Sequence, residues 1–295
     1  MVDDAPTSEP PKEPSMTTDA AASRPQPGPD LFRLDGRVAL VTGAGGELAS
    51  AAALGFARAG ASLVITDREA DRLAATARSV EALGADCVAV PSDSGDQTSI
   101  DGVFEALDQR FGRVDVLLNA AGINPMQGRP EDFPMEVWAL VIDVNLTGYL
   151  RFAKAAGRRM IDAGRGGSII NISSIAGTSA LGRGNLAYGV SKAGVDQMTR
   201  ELAVDWAWRG IRVNSIQPCQ FLNDGLRAII ADPERAYLAD RMIAGIPIGR
   251  MGRSDEIVGP ILFLASDASS MVTGVNLAVD GGNRALNAGG TLPRG

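Results

Sequence analysis

Seven short apolar runs alternate with helix-forming stretches between residues 37 and 282, and that rhythm leaves few folds open to the chain. The runs are 37–42, 62–67, 87–93, 114–122, 167–174, 211–218 and 274–282. Each is apolar at successive positions rather than at alternate ones. Runs of this kind are strands covered on both faces, as in a parallel sheet held between two layers of helix. Helices are predicted over 48–60, 68–84, 98–111, 134–163, 187–209 and 254–266. Gly60 and Gly84 end the first two, because a left-handed C-terminal cap favours glycine. Parallel strands joined through helices wind right-handed. The expected fold is therefore α/β: one domain with a doubly wound parallel sheet of about seven strands flanked by helices. In such sheets ligands sit outside the strand carboxyl ends, so the residues just after each strand carry the chemistry.

Composition narrows the chemistry further. The 295-residue chain has no histidine and two cysteines, Cys87 and Cys219. That excludes histidine-based triads and gives no metal-ligand spacing, so no metal site is expected. The net charge of −7 argues against nucleic acid as a partner. Residues 1–30 hold seven prolines and no sustained apolar run, and are expected to form a disordered acidic tail. Met16 is an alternative start. Residues 31–283 are expected to form the folded domain and 284–295 a C-terminal tail. Neither a secretory signal nor a membrane span is expected, so the chain reads as cytoplasmic.

Residues 37–67 have the order strand, glycine turn, helix, strand, acidic residue. A dinucleotide needs that order: a tight turn, close backbone approach to the pyrophosphate, and helix N–H groups facing the anion. Gly43, Gly45 and Gly46 crowd the turn, and Asp67 ends the second strand. The Asp67 carboxylate can accept from both adenosine ribose hydroxyls and would repel a 2′-phosphate. NAD is therefore favoured over NADP, although Arg68 beside it keeps NADP open.

"AYGVSKAGV" (187–195) sets Tyr188 and Lys192 at i and i+4, neighbours on one helix face. A nearby ammonium favours the phenolate and lowers a tyrosine pKa, giving acid–base chemistry without histidine. Alone, such a pair is most simply a tyrosine packed on a lysine stem. Here "NISS" (171–174) ends the preceding strand with hydroxyls, and Asn145 lies in the long helix feeding it. Taken singly, these are turn chemistry and a local hydrogen bond. Gathered around one crevice, they are more than that.

Over about 34–282 these motifs resemble the short-chain dehydrogenase/reductases, whose fold is Rossmann-like. The matching stretches are "VTGAGG", Asp67, "SDS" (92–94), "NAAG" (119–122), "VN" (144–145), Ser174, "YGVSK" (188–192), "RVNSIQP" (212–218) and "VDGG" (279–282). The resemblance implies an NAD(P)-dependent oxidoreductase interconverting a secondary alcohol and a ketone by hydride transfer. It implies that Tyr188 is the general acid or base, that Lys192 lowers its pKa and binds the nicotinamide ribose, that Ser174 bonds the reacting oxygen, and that Asn145 holds a relay water. It implies that Gly43, Gly46 and Leu48 form the cofactor loop, with Asp67 and Arg68 at the ribose. Asp93 and Ser94 then contact the adenine, Asn119, Ala121 and Gly122 line the ribose side, and Pro218, Phe221 and Asn223 bound the nicotinamide.

The sequence departs from the family at four places on the cofactor side. Glu47 and Ala49 replace two loop glycines, and Cys219 and Asn223 replace the glycine and threonine after Pro218. Glu47 would compete with the pyrophosphate for the same helix dipole. Its side chain is expected to turn to solvent; the sharper alternative is impaired cofactor binding, leaving a binding or regulatory protein on the same fold. Residues 219–250 are expected to form a substrate lid. Residues 232–252 resemble the sugar-acid and polyol branch, such as gluconate 5-dehydrogenase, although 3-oxoacyl-carrier-protein reductases share the motifs. Arg183 could meet a substrate carboxylate, or be a solvated loop arginine. A small-molecule substrate and a homotetramer or homodimer built on helices 134–163 and 187–209 are expected.

Overall fold

A computed structural model describes residues 28–125, 128–182 and 184–287. Most of the expected N-terminal tail, much of the C-terminal one, and Arg183 lie outside the described residues. The tail boundary at 30 is corrected, since Pro29–Phe32 form a 3-10 turn leading into the first strand.

All seven expected strands form: β1 (Val38–Thr42), β2 (Ser62–Asp67), β3 (Cys87–Pro91), β4 (Val116–Asn119), β5 (Gly167–Ile172), β6 (Ile211–Pro218) and β7 (Asn276–Val279). They pair in parallel in the order β3-β2-β1-β4-β5-β6-β7. Pro91 is tolerated because β3 is an edge strand, where a missing N–H costs no ladder bond. Alternate residues of each strand feed opposite layers. Ala39 and Val41 face Phe56 of α1 (Glu47–Arg58) and Leu264 of α9 (Val258–Ala265). Leu40 faces the other layer, with Leu107 of α3 (Gln97–Arg110) and Phe152 of α5 (Gly148–Ala163). The remaining helix of the first layer is α2 (Ala70–Glu81).

One expectation needs revision. The single long helix 134–163 is α4 (Met135–Ile142), a π turn over Asp143–Thr147, and then α5. A π turn adds a residue to the helical ring and breaks the regular bonding, a feature often found at functional sites. Here it carries Asn145 into a fully buried position. The region expected as a lid, 219–250, contains two short helices, α7 (Asp224–Ala231) and α8 (Tyr237–Ala244). α6 (Leu186–Trp206) runs against the carboxyl ends of β5 and β6.

A buried polar ladder ties these elements together. Asn119 Nδ2 donates to Asn171 Oδ1 at 3.0 Å, and Asn171 Nδ2 donates to Thr199 Oγ1 at 3.0 Å. All three side chains are fully buried. The ladder joins β4, β5 and α6 just beneath the strand ends. Removing its middle member leaves Asn119 Nδ2 with only the Tyr149 carbonyl at 3.3 Å and Thr199 Oγ1 with only the Val195 carbonyl at 2.8 Å, at a cost of about 1–3 kcal/mol. Asn171→Ala should therefore lower unfolding free energy in urea by about 2 kcal/mol. A change under about 0.5 kcal/mol would show that the ladder is not a structural tie.

Candidate active site

Strand order reverses between β1 and β4, and there a cleft of about 250 Å³ opens at the strand carboxyl ends. Thr42 Oγ1 accepts from the N–H groups of Ala120 at 3.0 Å and Ala121 at 3.2 Å, drawing the β4 exit against the glycine turn. Gly43 sits at φ +69°, and a Cβ there would lie 2.7 Å from the Ala121 backbone. Only glycine fits. Gly46 caps α1 without any side chain to satisfy the first N–H groups, which leaves donors for an anion. At the far side, Asp67 accepts from the Gly45 N–H at 2.9 Å and the Glu69 N–H at 2.8 Å. Thr66 Oγ1 and Ser92 Oγ line the same cleft, buried and without partners. Orphaned hydroxyls beside free helix donors and a ribose-ready carboxylate fit an adenine dinucleotide.

The cleft brings together Gly43, Gly46, Asp67, Arg68, Asp93, Ser94, Ala121 and Gly122 of the residues expected there. Others fall elsewhere. Leu48 packs against the core. The Asn119 amide nitrogen is engaged in the buried ladder, while its Oδ1 is buried without a partner. The Phe221 ring packs against Gly252, where a Cβ would approach it to 2.8 Å. Pro218 ends β6 and lines neither cavity at the strand ends. Asn223 caps α7, accepting from the Leu226 N–H at 3.0 Å, and faces a second cavity. The sequence reading also passed over Arg72, Ile123 and Val144, which line the cleft.

Glu47 does not turn to solvent. Its carboxylate receives a two-pronged ion pair from Arg227 of α7, at 2.5 and 2.6 Å. That guanidinium holds the Glu47 carboxyl below its ordinary pKa. Arg227 also meets Asp224 at 3.3 Å, and Asp224 meets Arg72 of α2 at 2.9 Å. The lid helix is thus tied to the glycine turn by the residue that looked most damaging. No local pattern around Glu47 signals a partner 180 positions away.

A larger cavity of about 1080 Å³ lies beneath the lid, with Ser174 and Tyr188 in its wall. Tyr188 comes from the first turns of α6 and Ser174 from the exit of β5. Lys192 follows one helical turn later and is 3% exposed. Its Nζ donates to the Ile172 carbonyl at 2.7 Å and to Tyr149 Oη at 3.3 Å. The ammonium lies 4.8 Å over the Tyr149 ring and 5.7 Å over that of Tyr188. Gly122 of the cleft lies beside Lys192, since a Cβ on it would be 3.7 Å from Nζ.

The titration pattern differs from the expectation in direction. Burial raises the Tyr188 phenol above its ordinary value, with the Ser174 hydroxyl opposing. Burial also pushes Lys192 down to about 7, against the pull of Asp196. A lysine that is only partly charged near neutral pH cannot strongly depress its neighbour. Asn145 differs too. Its Oδ1 accepts from the Ile123 N–H at 2.8 Å, and its amide donates to the Ile123 carbonyl at 2.9 Å and to Ser191 Oγ at 3.2 Å. The side chain clamps the β4 exit, which leaves only its backbone to meet a relay water. Tyr149, absent from the sequence reading, is 1% exposed and donates to the Ile172 carbonyl at 3.2 Å. Its only sequence signal was its place four residues after Asn145.

Comparisons with known proteins give the family. A family model described as "Enoyl-(Acyl carrier protein) reductase" matches residues 43–284. The chain is 37% identical over 254 residues to D-threitol dehydrogenase of Mycolicibacterium smegmatis, covering 85% of this chain and 94% of that one. It is 37% identical over 255 residues to 3-oxoacyl-[acyl-carrier-protein] reductase FabG of Thermotoga maritima, covering 85% and 99%. Among solved structures, a gluconate 5-dehydrogenase from Burkholderia cenocepacia J2315, in complex with NADP and tartrate, superposes with a TM-score of 0.81 at 35% identity, covering 88% of this chain and 99% of that one. The chain belongs to the short-chain dehydrogenase/reductase family and is an oxidoreductase of hydroxy compounds.

Proposed function

We propose that this chain interconverts a secondary alcohol and a ketone with NAD(P), acting on a polyol or sugar acid. The observation that carries the reading is that Tyr188 and Ser174 share the wall of the lid cavity, while Lys192, 5.7 Å from the Tyr188 ring, lies beside Gly122 of the dinucleotide cleft. When bound, the nicotinamide supplies or takes the hydride. Tyr188 holds its proton at neutral pH, because burial raises its pKa, and delivers it to the substrate oxygen during ketone reduction. In the reverse direction it takes that proton up. The Ser174 hydroxyl donates to the same oxygen and stabilises the charge developing on it. Lys192, fixed by Ile172 and Tyr149, holds the next proton-accepting position. Gly43, Gly46, Asp67, Arg68, Asp93, Ser94, Ala121 and Gly122 would hold the dinucleotide. The two unpartnered hydroxyls, Thr66 and Ser92, add donors there.

NAD is the favoured cofactor, because the Asp67 carboxylate opposes a 2′-phosphate. A 3-oxoacyl-carrier-protein substrate would use the same chemistry. The reading as a cofactor-impaired binding protein loses its ground, since Arg227 neutralises Glu47. Exposed Leu140 of α4, Leu150 of α5 and Leu186, Val190 and Val204 of α6 favour assembly through those helices as a homotetramer or homodimer. Among the described residues no helix is long and apolar enough to cross a membrane. The free thiols of Cys87 and Cys219 suit a reducing cytoplasm.

Tyr188→Phe should fold normally and bind NADH as wild type does, while kcat falls by about 10³-fold. Activity within tenfold of wild type would remove Tyr188 from the chemistry. A second outcome concerns the loop. Titrated with NADH, Glu47→Gly should change affinity by less than about threefold, because the charge it removes is already paired. Arg227→Met should weaken NADH binding about fivefold by baring Glu47 to the pyrophosphate, and Glu47→Gly in that background should restore it. Tighter binding in the single Glu47→Gly variant would mean that the ion pair fails to shield.

A further inference from the structure

The lid cavity carries a charge pattern that the relatives' names do not fix. Its wall includes two arginines, Arg235 from the turn before α8 and Arg241 from α8 itself, and no aspartate or glutamate. Among the described residues neither arginine forms an ion pair. Arg227, on the neighbouring helix, is paired twice. The acids adjacent in sequence do not neutralise the pair. Asp232, Glu234 and Asp240 lie outside the cavity wall, and Asp232 is engaged by the Glu234 N–H at 3.0 Å. Arg241 is braced with its guanidinium 5.4 Å over the Tyr237 ring. A locally cationic wall stands out on a chain of net charge −7.

A second observation concerns acceptors. Asn185 Oδ1 and Gln220 Oε1, in residues lining the same cavity, are buried and lack hydrogen-bond partners. The Asn185 amide already donates to Asn124 Oδ1 at 2.7 Å, which aims its carbonyl oxygen away from that neighbour. A buried acceptor without a protein partner calls for a donor from outside the chain, an ordered water or a ligand group. Donors for Asn185 and Gln220, together with an anion for Arg235 and Arg241, describe a molecule bearing both hydroxyls and an oxyanion.

We infer that the lid cavity selects a polyhydroxy substrate carrying an anionic group, with Arg235 and Arg241 binding the anion and Asn185 and Gln220 accepting from hydroxyls beside the reacting carbon. This deepens the proposed function and rests on its placement of the reacting carbon at Tyr188. A neutral polyol satisfies the two acceptors and leaves the guanidinium pair without a counter-charge. Guanidinium groups recognise carboxylates and phosphates alike, so the test separates those sources.

The probes are C4–C6 aldonates, the corresponding aldonamides, alditols, and alditol monophosphates of equal carbon count. Binding is read by calorimetry on the NADH-saturated Tyr188→Phe protein, with turnover measured separately on wild type. The expected result is that an aldonate or an alditol phosphate binds at least about tenfold tighter than its amide and alditol counterparts. Whichever anion wins identifies the group. Arg235→Met and Arg241→Met should each erase most of that preference while leaving the affinity for the amide unchanged. Equal binding of acid, phosphate, amide and alditol would overturn the inference, as would arginine variants that weaken all of them equally. Turnover of alditols alone would keep the alcohol–ketone reading and discard the anion site. Anion-selective binding with no turnover of any probe would do the reverse.

Discussion

The structure around the site depends on one buried cation. Lys192 is withdrawn from water and fixed by the Ile172 carbonyl and the Tyr149 hydroxyl. Holding it there requires β5 to end where Ile172 presents its carbonyl, and α6 to run back across that end. It also requires α5 to bring Tyr149 beneath, which the π turn over Asp143–Thr147 allows by resetting the helix. The fully buried ladder from Asn119 through Asn171 to Thr199 sets the spacing of those same elements. In a chain without histidine, a lysine brought to about 7 supplies a buried group whose charge changes near neutral pH.

The glycine turn shows a different compensation. Two missing glycines might have cost the chain its cofactor site by steric or electrostatic conflict. Gly43 is kept, and a Cβ on it would collide with the Ala121 backbone, while Gly46 begins α1. Ala49 is buried within the core. Glu47 is answered from the lid by Arg227, so one ion pair neutralises the loop and anchors α7. Cofactor loop and lid helix are thereby joined by a direct side-chain contact.

How much of this was legible in the sequence follows from the range of the interactions. Strands β2 and β6 fall where their apolar runs predict, because burial on both faces writes itself into consecutive residues. Glycines at strand ends and the Tyr188–Lys192 spacing were legible because they are local. The break in 134–163 was not, since a π turn leaves the apolar period almost intact. Nor was the Arg227 pairing, the ladder role of Asn119, or the inward packing of Phe221, each of which is decided by a residue far away in sequence. The direction of the Tyr188 shift was misread for the same reason. Spacing gives adjacency to Lys192, but burial, which lowers the charge on that lysine, is a property of the whole fold.

The central claim is that burial tunes Lys192 to the pH of the chemistry. Lysine-selective NMR is favourable, because the chain has only Lys12, Lys154 and Lys192. A pH titration of their side-chain ¹³Cε signals should show one lysine titrating near 7, and that transition should be absent in Lys192→Met. No lysine titrating near 7, or such a transition persisting in Lys192→Met, would contradict the account.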